Sequence, residues 1–192
     1  MKKGDFTTIG ASAHSKGERE ENDFYATNPK ALESFLDESG IILNNVWECA
    51  CGQGHLAKVL EDRNILGKAS DLIDRGYGET GMDFFKYNDK WKGDILTNPP
   101  YKDALEFCKK GLEYVKEGNY VIMLMRIQFL EGKRRKPFLI SNPPKYVYVS
   151  SSRLTLAKNA DFVKYNTPSA NCYAWYIWQK GFEGETTLRW FN

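Results

Sequence analysis

Residues 46–54 of the sequence read VWECACGQG. This apolar stretch contains one acid, Glu48, and leads directly into a turn with two glycines. Four apolar residues follow this turn at helical spacing: Leu56, Ala57, Val59 and Leu60. An apolar run, a glycine turn and an amphipathic segment predict a buried strand, a tight connection and a helix. This succession is typical of an α/β fold, in which parallel strands are joined by helices.

Further candidate strands follow along the chain. They are Lys68–Asp71, Asp94–Thr97 and Tyr120–Leu124, and then Tyr146–Val149 and Tyr173–Trp178, which follow each other with a long loop between them. The strands alternate with helical segments and end in two consecutive strands. This order predicts a mostly parallel α/β sheet with an antiparallel edge.

Capping residues predict two of the helices. Asn28 is a plausible N-cap before Pro29, and the apolar pattern that follows ends at Gly40. A second helix is predicted from Asp103, as its capping residue, to a stop at Gly118.

Length and composition predict one domain. The chain has 192 residues, of which 42% are hydrophobic, enough for one substantial core. We expect residues 1–22 to be a flexible arm and residues 23–192 to form the domain. Because 27 basic residues nearly balance 25 acidic ones, the net charge of +2 neither supports nor excludes a polyanionic partner. The chain has no apolar stretch of membrane-spanning length, so we expect a cytoplasmic protein without a membrane partner.

Acidic residues follow the first two predicted strands. Glu48 stands at the end of the first, beside the glycine turn, and Asp71 ends the second. In parallel sheets, ligands bind beyond the carboxyl ends of the strands, where an acid can accept hydrogen bonds from ribose hydroxyls or an amino group. Met82-Asp83-Phe84-Phe85 places another carboxylate beside aromatic rings that could cover a base. Each feature alone also fits an ordinary turn or core.

The most specific motif is Asn98-Pro99-Pro100-Tyr101, which follows a predicted strand. Methylation of an aromatic amino group requires its lone pair to point at the methyl donor. The Asn98 amide oxygen and the Pro99 carbonyl can each accept one amino hydrogen, and Tyr101 can stack on the base. A second copy at residues 142–144 precedes a strand instead, and we predict that it is a helix-to-strand turn.

In the order of these motifs the chain resembles the class I S-adenosylmethionine-dependent methyltransferases, and within them the small phage-type DNA adenine-N(6) methyltransferases. The resemblance rests on residues 24–29, on the glycine-rich stretch 48–54, and on the later strand ends. It implies a Rossmann-like, seven-stranded, mostly parallel sheet with an antiparallel last strand and helices on both faces. It also implies S-adenosyl-L-methionine as cofactor, contacted by Tyr25, Ala26, Thr27, Glu48, Ala50, Gly52, Gly54, Asp71, Leu72, Asp83, Phe84 and Asn98, with catalysis by Asn98, Pro99, Pro100 and Tyr101.

The expected substrate is adenine in DNA, taken out of the base stack. Methylation of RNA bases or of a protein glutamine amide is the alternative, and a non-catalytic cofactor-binding protein is a third hypothesis. For phosphate contacts, the candidates are Lys133, Arg134 and Arg135 in the densest basic stretch, together with Arg153. A solvated helix start explains that stretch equally well.

The cysteines raise the question of a metal site. Cys49, Cys51 and His55 lie close together in sequence, but a second ligand pair at zinc spacing is missing. We therefore expect no metal, and free thiols that pack as small hydrophobic side chains.

Overall fold

The computed structural model describes residues 25–158, 162–163 and 171–192. The expected N-terminal arm, residues 1–22, lies outside the described residues. The strands are β1 (Tyr25–Thr27), β2 (Val46–Glu48), β3 (Leu66–Asp71), β4 (Glu79–Thr80), β5 (Ile95–Thr97), β6 (Tyr120–Arg126), β7 (Tyr146–Ser150), β8 (Leu156–Lys158), β9 (Tyr173–Gln179) and β10 (Thr187–Phe191). The helices are α1 (Pro29–Ser39), α2 (His55–Asp62), α3 (Ala104–Tyr114) and α4 (Lys136–Ser141), with short 3₁₀ turns at Phe84–Lys86 and Ile127–Leu130.

Eight strands form the main sheet in the order β10-β7-β9-β6-β5-β2-β3-β4. Strand β9 is antiparallel to both of its neighbours, and the other neighbouring pairs are parallel. The predicted Rossmann-like α/β sheet is therefore confirmed. Strands β1 and β8 form a separate antiparallel pair.

The sheet differs from the expectation in its strand count and its last strand. It has eight strands rather than seven, and the antiparallel strand β9 is followed by β10, which runs parallel to β7 at the edge of the sheet. Strand β10 was missed because four of its five side chains are exposed, so its sequence lacks an apolar run. Strand β4 has only two residues, which is too short for a sequence pattern.

Helices cover both faces of the sheet, as predicted. Along β6, Val121 and Met123 point into a core cluster shared with α3, whereas Ile122 and Leu124 point into a second cluster shared with α1 and α2. This alternation is the two-residue period of a strand that is buried on both faces. The central strands are consequently almost inaccessible to solvent.

The helix signals were accurate at α1 and less so at α3. Asn28 caps α1 by accepting a hydrogen bond from the Lys30 amide at 3.0 Å, and Gly40 ends the helix in the left-handed region. Asp103 precedes α3, but its side chain caps nothing, and the helix ends at Tyr114 rather than near Gly118. The second Asn-Pro-Pro lies between α4 and β7, which confirms the predicted turn.

One buried carboxylate joins the amino ends of three parallel strands. Asp94, which is 3% exposed, precedes β5 and accepts hydrogen bonds from the Asn44 amide before β2 and from the Tyr120 amide of β6, both at 2.7 Å. The side-chain amide of Asn119 donates to the same carboxylate at 3.2 Å. These contacts hold β2, β5 and β6 in register.

No helix in the described part of the chain is long and apolar enough to cross a membrane.

We expect Asp94→Ala to lower the free energy of unfolding by about 2–3 kcal/mol, because two partly buried backbone amides lose their charged acceptor. Asp94→Asn, which keeps one acceptor oxygen, should lose less. Urea unfolding checks both values. As a control, Asp89→Asn should change stability by no more than about 0.5 kcal/mol, because Asp89 is exposed. An Asp94→Ala protein as stable as the parent would exclude this role for the carboxylate.

Candidate active site

A cavity of about 660 Å³ lies at the carboxyl ends of β2, β3, β5 and β6, next to β1. Most of the residues predicted for cofactor binding and catalysis line it: Tyr25, Ala26, Thr27, Glu48, Ala50, Asp71, Leu72, Asp83, Phe84, Asn98, Pro99, Pro100 and Tyr101. Because parallel strands end at the same edge of a sheet, residues that are distant in sequence meet there.

Strand β1 determines how the side chain of Asn98 is oriented. The Asn98 Nδ2 amino group donates hydrogen bonds to the Tyr25 carbonyl and to the Thr27 hydroxyl, both at 3.0 Å. A backbone carbonyl can only accept, so the amide nitrogen must face β1. The oxygen Oδ1 is therefore left to face away from β1, as an acceptor.

Three buried polar atoms at the end of β5 have no hydrogen-bond partner among the described residues: Thr97 Oγ1, Asn98 Oδ1 and the Tyr101 hydroxyl. Buried polar atoms are nearly always paired, so an unpaired one calls for a partner that the chain itself does not supply, such as a water or a ligand. Asn98 Oδ1 and Tyr101 belong to residues that line the cavity. Asn98 therefore keeps a buried acceptor without a partner, and the residue itself lines the cavity.

Asp71 organises the glycine turn. Its carboxylate accepts hydrogen bonds from the Gly52 amide at 2.8 Å and from the Ile73 amide at 2.9 Å, so the ends of β2 and β3 are tied together. Gly52 and Gly54 have positive φ angles of 55° and 81°. A Cβ atom on Gly54 would lie 2.5 Å from the Tyr77 ring. Both glycines shape the turn, and neither is among the residues that line the cavity, so their predicted contact with the cofactor stays a prediction.

Glu48 is a buried acid in the wall of the cavity. It is 1% exposed, and this burial raises its pKa to about 8. The nearby Thr97 hydroxyl and Ala50 amide lower the pKa in part, while the negative charge of Asp71 raises it further. Glu48 is therefore mostly protonated at neutral pH. A cationic ligand group beside it would favour the ionised form.

Of the two aromatic residues after Asp83, Phe84 is the more deeply buried. Its ring is 3% exposed and stacks on Phe107, with centroids 4.8 Å apart and an interplanar angle of 8°. Phe85 also lines the cavity, and it is 37% exposed. Phe84 is the residue predicted to contact the cofactor, and Phe85 is the more exposed of the two rings in the cavity lining. Asp83 is held by the Phe85 amide at 3.0 Å.

Arg126, which ends β6 and lines the cavity, was not among the predicted site residues, although the resemblance extends weakly over residues 126–131. Its guanidinium lies over the Tyr101 ring, 5.2 Å from the ring centroid. The rule that strand ends carry the site could have identified it, because β6 was predicted. The predicted strand, however, stopped at Leu124.

The residues predicted for phosphate contacts lie outside this cavity lining. Lys133, Arg134 and Arg153 are exposed. The guanidinium of Arg135 already has partners within the protein. It donates hydrogen bonds to the carbonyl of Gln128 at 3.0 Å and to that of Glu131, and it lies over the Phe129 ring. We therefore do not propose Arg135 for phosphate binding.

Cys49 and Cys51 are buried, as predicted for small hydrophobic side chains. Burial raises the pKa of Cys51 to about 12 and that of Cys49 well above its usual range, so neither thiol readily forms the thiolate that metals bind. Within the described ranges, no three His, Cys, Asp or Glu side chains are grouped to hold a metal.

No protein-family profile and no curated protein sequence matches the chain. Solved structures do match it. The methyltransferase subunit of a type I restriction-modification system from Streptococcus thermophilus superposes with a TM-score of 0.60 at 12% identity, over 88% of this chain and 47% of that subunit. This chain thus spans about half the length of that subunit.

Two further structures match over nearly their whole length. A Pyrococcus horikoshii protein with the provisional name RNA methyltransferase has a TM-score of 0.58 at 13% identity, over 87% of this chain and 93% of its own. A Lactococcus lactis protein provisionally named a hemolysin has a TM-score of 0.57 at 12% identity, over 84% and 91%. At these identities the similarity establishes the fold, which is the Rossmann-like fold of methyltransferases.

The raised pKa of Glu48 predicts how stability depends on pH. Between its ordinary pKa of 4.5 and the folded value of about 8, the unfolded chain binds fewer protons than the folded protein, so this carboxyl destabilises the ligand-free fold as pH rises. Glu48→Gln is neutral throughout. Its free energy of unfolding relative to the parent should therefore increase by up to about 4–5 kcal/mol across this range.

Urea unfolding of the ligand-free protein at a series of pH values measures this difference. Glu33→Gln, on the exposed face of α1, is the matched control and should show no comparable trend. A difference between Glu48→Gln and the parent that stays constant with pH would mean that Glu48 ionises normally.

Proposed function

We propose that this protein is an S-adenosylmethionine-dependent methyltransferase that methylates the exocyclic amino group of adenine in DNA. The observation that carries the proposal is the unpaired Asn98 Oδ1, fixed as an acceptor by β1 and belonging to a residue that lines the cavity of a methyltransferase fold. An acceptor in this position suits a substrate that brings an N–H group.

Two acidic residues in the cavity wall, Glu48 and Asp71, suit the cofactor. S-adenosylmethionine, when bound, supplies an electrophilic methyl group. Glu48 would pair with the cationic amino group of the cofactor, and Asp71 would accept hydrogen bonds from its ribose. Each Asp71 oxygen already accepts one backbone amide, and the second lone pair of each oxygen remains for a hydroxyl. Asp83 and Phe85 would contact the adenine ring.

Asn98 would orient the target amino group. By accepting one amino hydrogen through Oδ1, it holds the nitrogen in a fixed direction and lets its lone pair leave conjugation with the ring. Pro99 and Pro100 have restricted φ angles, and the Pro100 carbonyl accepts the Asp103 amide at 2.9 Å, so the loop is held against α3. A rigid acceptor does not have to reorganise during the reaction.

Nucleic acid is the acceptor that we favour. A base paired in a duplex cannot reach a cavity of this kind, so the target nucleotide must leave the stack or come from a single strand. The names of two structural neighbours point to the same class of substrate, a restriction-modification methyltransferase subunit and an RNA methyltransferase. The second name makes RNA the alternative acceptor.

The function is tested by incubating the protein with methyl-labelled S-adenosylmethionine and, separately, DNA, RNA or total cell protein. Digestion and chromatography identify the labelled residue. Label in N6-methyladenine of DNA supports the proposal, whereas label in RNA bases would show that RNA, the alternative acceptor, is the substrate. Label in a glutamine side chain, or no transfer to any acceptor, would overturn the proposal.

We expect Asn98→Ala to lower the single-turnover rate of methyl transfer by about two to four orders of magnitude, because a positioned acceptor is worth several kcal/mol in the transition state. Cofactor affinity, measured by calorimetry, should stay near that of the parent. Asn142→Ala, in the second Asn-Pro-Pro, is the matched control and should leave the rate unchanged. Transfer by Asn98→Ala at the parent rate would disprove the role of this residue.

The exposed cations Lys133 and Arg134 are proposed to contact phosphates. Replacing both with glutamine should reduce the slope of log affinity against log salt concentration by roughly 0.7 to 0.9 for each phosphate that is no longer neutralised. Binding of labelled DNA at several salt concentrations gives the slope, and cofactor affinity is the internal control. An unchanged slope would leave the two side chains as ordinary solvated charges.

A further inference from the structure

Arg126 stands out among the residues that line the cavity because no described residue forms an ion pair with it. It is exposed at the end of β6, and within the described part of the chain its guanidinium forms neither a salt bridge nor a hydrogen bond. Its side chain lies against the face of the Tyr101 ring, at 5.2 Å. A guanidinium has five N–H donors, which here remain available to a ligand.

The backbone at Arg126 is nevertheless firmly held. Its carbonyl accepts a hydrogen bond from the Tyr176 hydroxyl at 3.2 Å, and the residue pairs with Tyr173 in β9. The next residue, Ile127, donates its amide to the Cys172 carbonyl at 3.0 Å. The side chain is thus supported by a fixed strand end and by an aromatic ring, and such support lowers the entropy cost of binding a ligand.

Arg126 and Arg135 differ in how they use their hydrogen-bond donors. Both lie over an aromatic ring at a similar distance, 5.2 Å for Arg126 and 5.3 Å for Arg135. Arg135 directs its donors to backbone carbonyls of the 3₁₀ turn, and it does not line the cavity. Arg126 lines the cavity and keeps its donors. Packing on a ring therefore does not account for Arg126 by itself.

Charges of both signs line the cavity. Glu48 and Asp71 lie at the ends of β2 and β3, with Arg75 further along the chain. Arg126 lies beyond β5, on the side of Asn98 and Tyr101, where Lys102 and Asp103 also line the cavity and pair with each other at 4.0 Å.

The proposed cofactor has a net positive charge but also carries a carboxylate, so charge alone does not assign Arg126 to the acceptor. Its position favours the acceptor, because Arg126 lies on the side of Asn98, which would hold the target amino group. A phosphate satisfies a guanidinium with two parallel hydrogen bonds, whereas a glutamine side chain offers no charge.

We infer that Arg126 binds a backbone phosphate next to the target nucleotide, and that the acceptor of this site is a nucleic acid strand rather than a protein amide. This inference rests on the proposed methyltransferase function and adds a substrate contact to it. Arg126 holds the strand through its guanidinium, and Tyr101 keeps the guanidinium in place beside Asn98.

The test uses the intact protein with S-adenosylmethionine and a fluorescein-labelled single-stranded oligodeoxynucleotide that contains one adenine. Two further oligonucleotides carry a neutral methylphosphonate in place of the phosphate on one side or the other of that adenine. Affinity is measured over a range of salt concentrations for the parent and for Arg126→Gln, Arg126→Lys and Arg189→Gln. Methyl transfer to each oligonucleotide is measured in parallel.

We expect one methylphosphonate to weaken binding to the parent by about 10- to 100-fold, the usual effect of removing a charged hydrogen bond. Arg126→Gln should bind the unmodified strand more weakly by the same factor, and the methylphosphonate should not weaken its binding further. The slope of log affinity against log salt concentration should be smaller by roughly 0.7 for this variant. Arg126→Lys, which keeps the charge, should keep the slope. A purely structural role for Arg126 would leave the slope unchanged.

Arg189→Gln is the matched control. Arg189 also lies over a tyrosine ring, that of Tyr146 at 5.3 Å, but it belongs to the edge strand β10 and does not line this cavity, so its replacement should alter neither slope nor affinity. If Arg126→Gln does not fold, the methylphosphonates still test the parent, and their having no effect would overturn the inference.

Failure of the inference can be told apart from failure of the proposed function. If the parent methylates the oligonucleotide while Arg126→Gln keeps the parent slope and the methylphosphonate effect, only the role of Arg126 is wrong. If the parent methylates no nucleic acid, the proposed function fails and the inference fails with it.

Discussion

The buried carboxylate of Asp94 is the contact on which the arrangement of this protein depends. It accepts backbone amides from the chain entering β2 and β6, next to its own strand β5, and so fixes the relative register of three parallel strands at their amino ends. Strands of fixed register also end at fixed positions. The Asp94 contacts at the amino ends of the strands therefore help to position the cavity at their carboxyl ends. These contacts lie at the opposite edge of the sheet, so a ligand in the cavity takes no part in them.

At the carboxyl edge, the site is completed by a segment that does not belong to the main sheet. Strand β1, paired with β8, presents the Tyr25 carbonyl and the Thr27 hydroxyl to the Asn98 amide. These two acceptors occupy the donor half of the amide, so its acceptor half remains for a ligand. Loss of β1 would leave Asn98 free to rotate. The β1–β8 pair is thus part of the proposed chemistry and not only a cover for the cavity.

Glu48 and Arg126 lie in different halves of the cavity wall, at the ends of β2 and β6, and neither has a counter-ion among the described residues. Burial of Glu48 without a fixed cation costs stability in the ligand-free protein, because the carboxyl must remain protonated or be desolvated. Arg126, on the other half, lies over a ring without an anion among the described residues. The Glu48 carboxyl and the Arg126 guanidinium can each form an ion pair with a ligand group of opposite charge. A cationic cofactor and a polyanionic acceptor, bound side by side, would complement both halves.

Features that depend on neighbours along the chain could be predicted from the sequence. Asn28 and Gly40 set the limits of α1, the glycine turn followed β2, and strand context distinguished the two Asn-Pro-Pro copies. Most of the predicted site residues also came together, because parallel strand ends share one edge. The direction of the Asn98 amide, in contrast, follows only from the folded chain, since its partner Tyr25 lies 73 residues away. The sequence also does not show that Arg135 donates hydrogen bonds to backbone carbonyls whereas the donors of Arg126 stay available to a ligand. Such hydrogen bonds depend on the fold of the backbone and leave no pattern in the sequence.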